Sequence, residues 1–168
     1  SEFLDLKKLR GLGAGAFVFL WFVEAPYGRH TRAGFGPTIG ERAGWILMEA
    51  PSALGMAACF AAGRHGPAET LLFSLWEVHY LYRSFVFPLR RRPSSSAMPL
   101  AVVLSGALFN IGNAYLNGRW LFTLGPPRAL DATLAAGAAL FSAGFAVHVH
   151  SDDVLRALRA PGATGYRV

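Results

Sequence analysis

The sequence predicts an all-α fold, a polytopic bundle of membrane helices in one domain covering residues 1–168. Three observations predict it. Hydrophobic residues make up 53% and charged residues only 15% of the 168, where a soluble domain carries about 25% charged. Mean hydropathy is also positive, at +0.34. Five apolar stretches approach the roughly 20 residues that a spanning helix needs.

The first span runs from about Leu9 to Ala25, with Lys7, Lys8 and Arg10 at its start. The second, Ala43 to Ala62, contains Glu49 and Pro51. The third, Ala68 to Phe87, contains Glu77, His79, Tyr80 and Arg83. The fourth, Met98 to Leu116, holds Asn110 and Asn113, and the fifth covers Leu130 to Val149. Between them "AGFGPTIGERAG", "GRHGP", "RRRPSSSAMP" and "NGRWLFTLGPPR" read as loops from their Gly, Pro and Ser content. Small residues crowd "SGALFNIGNA" and "AAGAALFSAG", which suits close helix approach in lipid. Ser1–Phe3 reads as a cloning scar and is left out of the fold.

The net charge of +6 does not imply nucleic acid. Its arginines cluster between apolar stretches, as in cytoplasmic loops of membrane proteins, instead of forming one basic face. Loops after spans one, three and five carry Arg29, Arg32, Arg42, Arg90, Arg91, Arg92, Arg156, Arg159 and Arg167. The other side carries Lys7, Lys8, Arg10, Arg64, Arg119 and Arg128. Nine against six predicts an N-terminus outside and a C-terminal segment in the cytoplasm. Abundant Ala and Arg hint at a high-GC bacterium and its inner membrane.

One cysteine, Cys59, excludes disulfides and a thiolate zinc site, and reads as a small buried hydrophobe. His148 and Asp152 share a helix face at i and i+4 while His150 points away. Three convergent ligands are not in view, so no metal is expected. "SDDVLRALR" reads as the start of a separate helix, with Ser151 or Asp152 as N-cap. Its arginines suit either a membrane surface or a phosphate-bearing ligand.

Ionisable groups at bilayer depth cost about 2.5 kcal/mol or more, and so tend to mark a functional interior. Glu49 beside Pro51 reads that way. Glu77 and Arg83 read equally as a helix-joining ion pair.

The motifs "APYGRHT", "GWILMEAPS", "HYLYRSFVFP", "FNIGNAYLNGRWL" and "VHSDDVLRALRAPGATGYRV" together resemble the steroid 5α-reductase family. The resemblance implies NADPH-dependent reduction of the 4,5 double bond of 3-oxo-4-ene steroids. It implies hydride transfer to the enone β-carbon, with Glu49 and Tyr80 polarising the ketone and Met48 beside them against the substrate. It implies cofactor contacts from Tyr27, Arg29, Arg83, Asn113, His148, Asp152 and Arg159, and a cytoplasmic cofactor-loop segment over 150–168. Related polyprenol or trans-2-enoyl-CoA reductases, and a non-catalytic membrane scaffold, are the alternatives. Met48 stands where the family usually has Gln, His148 where it often has Asn, and Glu77 where it has an uncharged residue. The family continues past "GY" into two further spans. The chain thus reads as five of seven, either as a monomer or associating with a C-terminal portion. Membrane lipids and a steroid or other enone lipid are the expected partners.

Overall fold

The computed structural model describes Ala14, Gly15, Val18, Trp21 and Phe22, which are helical, and residues 36–91 and 97–158. The first predicted span, and with it most of 9–25, lies outside the described residues, as do Tyr27, Arg29 and Arg159.

A two-stranded clasp starts the described fold. Strands β1 (Thr38–Gly40) and β2 (Ala97–Pro99) pair antiparallel, with Thr38 opposite Pro99 and Gly40 opposite Ala97. Both strands fall in stretches expected to be loops. At three residues each, they are too short for an alternation signal, which needs four or more. Each strand feeds a long helix: α1 (Glu41–Ala61) and α4 (Leu100–Arg119). The Leu100 N–H also bonds the Pro37 carbonyl at 2.8 Å, which pins the start of α4 to the clasp.

From the clasp α1 and α4 run parallel and in contact. The pairs follow in chain order: Gly44 meets Val103, Met48 meets Gly106, Gly55 meets Ala114, and Cys59 meets Gly118. Small residues on both helices let the backbones approach, as expected where lipid offers no hydrophobic drive between helices. Met56, Val103, Ala114 and Phe122 are fully buried in this seam. Cys59 is only half-buried, at the rim of the seam.

Helix α2 (Pro67–Leu81) starts on a proline, where the missing N–H has no intrahelical partner to lose. It returns along α1, with Trp76 Nε1 donating to the Ser52 carbonyl at 3.3 Å and Phe73 stacked on Phe60 at 4.2 Å. The helical path then widens into a π turn, Tyr82–Val86, and ends in the short α3 (Phe87–Arg90). Within that turn the Phe87 N–H bonds back five residues to Tyr82. The turn directly precedes Pro88, whose ring and missing N–H would disrupt an ordinary α-turn there.

A second π turn, Trp120–Leu124, extends α4 through "WLFTL", which the sequence reading placed in a loop. Arg64 secures its end, with its N–H on the Phe122 carbonyl and its guanidinium on those of Leu121, Thr123 and Gly125. Helix α5 (Ala132–Ala157) is capped by Asp131, whose side chain accepts from the Leu134 N–H at 2.8 Å. It runs unbroken through "SDD", so the helix start expected at Ser151 or Asp152 is not there. Those acids are engaged by other side chains instead of by backbone N–H groups: Asp152 by Tyr82, and Asp153 by Arg90 and Arg156. The segment 150–168, expected as a loop, is helical as far as Ala157.

Among the described residues three helices are long and apolar enough to cross a membrane: Glu41–Ala61, Leu100–Leu124 and Ala132–Ala157. Large apolar side chains, among them Leu104, Leu108, Ile111, Leu140 and Val147, face outward. That is the arrangement of a bundle solvated by hydrocarbon, since a soluble monomer rarely exposes such contiguous apolar surface. Arg42, Arg90, Arg91 and Arg156 gather at the clasp end. There Arg91 pairs with Glu41 at 2.8 Å and Arg90 with Asp153 at 2.7 Å. Arg64 and Arg128 lie at the other end, near buried Glu69, whose carboxylate accepts from the Arg128 N–H. Among the described residues, these members of the two charge groups separated in the sequence therefore lie at opposite ends of the bundle.

Candidate active site

A cavity of about 660 Å³ opens between four helices near the clasp end. This lies within the roughly 300–1,000 Å³ of small-molecule sites. Helix α1 supplies Met48 and Glu49, α2 supplies His79 and Tyr80, the π turn supplies Arg83, and α5 supplies His148. The remaining wall comes from α4, where Gly106 and Asn110 face in beside Phe109. Gly106 is glycine for a steric reason, because a Cβ there would collide with the Met48 side chain.

Glu49 is buried in the second span, two residues before Pro51, and both its oxygens are engaged. Oε1 faces an Arg83 guanidinium nitrogen at 3.5 Å, and Oε2 accepts from Asn110 Nδ2 at 3.3 Å. The same Asn110 nitrogen bonds the Met48 carbonyl at 2.8 Å, which ties its amide to α1. Donors from two other helices thus offset the desolvation of this carboxyl. Arg83 is held from behind by aromatic rings, its guanidinium 4.5 Å from the Trp45 ring centre and 4.9 Å from that of Phe87. The pairing of Arg83 with Glu77 is corrected: Glu49 takes that place, and Glu77 Oε1 is buried without a hydrogen-bond partner.

Tyr80 enters from α2. Its hydroxyl accepts from Asn113 Nδ2 at 3.5 Å, and Asn113 Oδ1 accepts in turn from Asn117. A phenol that accepts on its oxygen keeps its own proton to donate. His148 sits 3.5 Å from Asp152 through Nε2 and Oδ2, and its ring centre lies 6.0 Å from that of His79. Asp152 Oδ2 also accepts from the Tyr82 hydroxyl at 3.3 Å. His150 is exposed, on another face of α5.

The cavity therefore unites Met48, Glu49, Tyr80, Arg83 and His148 of the residues singled out in the sequence. Asn113 and Asp152 stand immediately behind it, through Tyr80 and His148. Asn110 and Tyr82 were not singled out as site residues. Asn110 carried a signal, as an amide inside an apolar span, and Tyr82 carried none.

These features define a class: an apolar helical membrane bundle around a cavity lined by a carboxyl, a phenol and a guanidinium. The comparisons give that class a family. Residues 96–168 match the family model described as 3-oxo-5-alpha-steroid 4-dehydrogenase. The chain is 39% identical to 3-oxo-5-alpha-steroid 4-dehydrogenase 1 of Bos taurus, over 94% of its own length and 64% of the relative's. It is 33% identical to steroid 5-alpha-reductase DET2 of Gossypium hirsutum, over 90% of this chain and 62% of that one. With 3-oxo-5-alpha-steroid 4-dehydrogenase 2 of Homo sapiens it shares 34%, over 92% and 63%. Over most of its own length the chain is thus similar to proteins of the 3-oxo-5-alpha-steroid 4-dehydrogenase family. It spans a little under two thirds of the length of these relatives.

Proposed function

We propose that this protein reduces the 4,5 double bond of 3-oxo-4-ene steroids with NADPH. The single observation that carries the reading is the convergence of Glu49, Tyr80 and Arg83 on one cavity from three separate elements, in a chain similar to this family. The residues present suit NADPH. Arg83 offers a guanidinium fork inside the cavity, half-buried and only loosely paired, and Asp152 stands behind the α5 wall. Tyr27, Arg29, Asn113, His148 and Arg159 complete the proposed cofactor set. NADPH, when bound, supplies hydride for the enone β-carbon.

The chain's own part is to hold the ketone and stabilise the charge that develops on its oxygen. Tyr80, already accepting from Asn113, directs its hydroxyl proton at that oxygen. Glu49 is the second group that polarises the same ketone, and Asn110 fixes its carboxyl plane. Met48 packs beside them as an apolar wall where the family usually places an amide. The apolar outer surface keeps bulk water from the reacting carbons.

In this reading the described helices and the stretch at 9–25 make five spans of a seven-span fold, and residues 1–168 form one membrane domain. The clasp end, with Arg42, Arg90, Arg91 and Arg156, is cytoplasmic, the N-terminus is outside, and the host membrane is a bacterial inner membrane. The test is progesterone plus NADPH with membranes carrying the chain, scored by mass spectrometry for a product two hydrogens heavier. Removing one oxyanion donor typically costs about 10²–10³ in turnover. Glu49→Gln and Tyr80→Phe should each fall by that order at matched expression. Unchanged turnover in both variants would reject the assigned roles.

A further inference from the structure

The α5 wall of the cavity is attached in an unusual way. Helix α5 has no buried residue along its whole length, yet it carries His148 into the cavity and Asp152 just behind it. Tyr82 makes the attachment. It is the first residue of the π turn, is 9% exposed, and meets one face of α5 at three successive levels. Its ring lies edge-on to Phe145 at 5.5 Å and to His148 at 5.8 Å, and its hydroxyl reaches Asp152 Oδ2 at 3.3 Å. The neighbouring Arg83 turns the opposite way, to Glu49 and Trp45 on α1. Two adjacent residues of one widened turn thus grip opposite walls of the cavity. Such single-turn π insertions often occur where a functional site needs a side chain redirected.

We propose that Tyr82 is a positioning residue for Asp152: its hydroxyl fixes Oδ2 and leaves Oδ1 for a hydroxyl or amide of the cofactor. This inference rests on the NADPH reading above. The Asp152 carboxylate faces the Tyr82 hydroxyl from the π turn and His148 from its own helix. Neighbouring Asp153 is taken by Arg90 and Arg156, so the two acids divide between the cavity side and the helix end. Without the Tyr82 hydroxyl, the carboxylate would lose its hydrogen bond from the π turn, and more of the bound geometry would have to be selected on each encounter.

The experiment titrates NADPH against the detergent-solubilised protein, comparing the parent with Tyr82→Phe, Asp152→Asn and the double variant, and measures thermal stability of each. Tyr82→Phe keeps the ring packing on Phe145 and His148. It should weaken NADPH binding about five- to tenfold while leaving the steroid KM within twofold. The double variant should be no weaker than Asp152→Asn alone, because both changes remove one interaction. Tyr82→Phe binding NADPH as the parent does, while Asp152→Asn loses affinity, overturns the positioning role. Additive losses in the double variant also overturn it. A parent that binds no NADPH fails the functional reading instead, and this role for Asp152 with it. In that case coupled Tm shifts of the two single variants would still report the Tyr82–Asp152 contact by itself.

Discussion

Glu49 is held by Arg83 on one oxygen and Asn110 on the other, and Arg83 is itself clamped from behind by the adjoining rings of Trp45 and Phe87. The clamp fixes a planar guanidinium, so charge alone does not replace it. Arg83→Lys keeps the charge but loses the stacking and the fork. It should weaken NADPH affinity about tenfold, the equivalent of roughly 1.4 kcal/mol, read by the same titration. Parent-like affinity would mean that Arg83 serves only the ion pair. At this scale the sequence was legible wherever chemistry stood out against an apolar background. Glu49, Tyr80, Arg83 and His148 are polar groups in or near spans, and they share the cavity. Tyr82 was invisible. In an ordinary helix it sits about 200° around the axis from Tyr80, and only the π turn and the arrival of α5 give its hydroxyl a partner. The partner of Arg83 was misread because Glu77 is near in sequence, whereas Glu49 is near in space.

The seam between α1 and α4 positions the site, since it sets Glu49 against Asn110 and Met48 against Gly106. Two glycines of α4 test it in opposite directions. A Cβ at Gly118 would lie 2.5 Å from that of Cys59, whereas one at Gly112 meets nothing within 4 Å. Gly118→Ala should destabilise by about 1–3 kcal/mol, as overpacked cores do. Gly112→Ala should be neutral or gain up to about 1 kcal/mol from helix propensity. Thermal denaturation in detergent reads both, and equal effects would contradict a parallel seam in this register. The helices themselves were legible from apolar length, but their ends were not. The clasp strands are too short for periodicity to register, and α4 and α5 both outrun their expected ends. In α5 the acids of "SDD" looked like caps because Ser and Asp favour helix starts. They extend the helix because tertiary partners claim their side chains.

Across the whole molecule, charge and chemistry share one end. Arg42, Arg90, Arg91 and Arg156 gather near the clasp, on the same half of the bundle as the cavity, while Arg64 and Arg128 lie opposite. A water-soluble cofactor entering from the cytoplasm would meet that end first. With Cys59 replaced by Ala, single cysteines at Ala97 and Ala129 should therefore label from opposite faces. An impermeant maleimide should reach Ala97→Cys only from the cytoplasmic side of inverted vesicles. Labelling of Ala97→Cys by the same reagent added to intact cells would reverse the orientation. The most direct test of the central claim follows the hydride itself. Progesterone is incubated with the protein and NADPH deuterated at the transferable position of the nicotinamide C4, and the product is read by mass spectrometry and NMR. The account predicts one deuterium, on the former β-carbon of the enone, with its loss in Tyr80→Phe and Glu49→Gln. Reduced product without deuterium at that carbon, or equal yield from both variants, would contradict it.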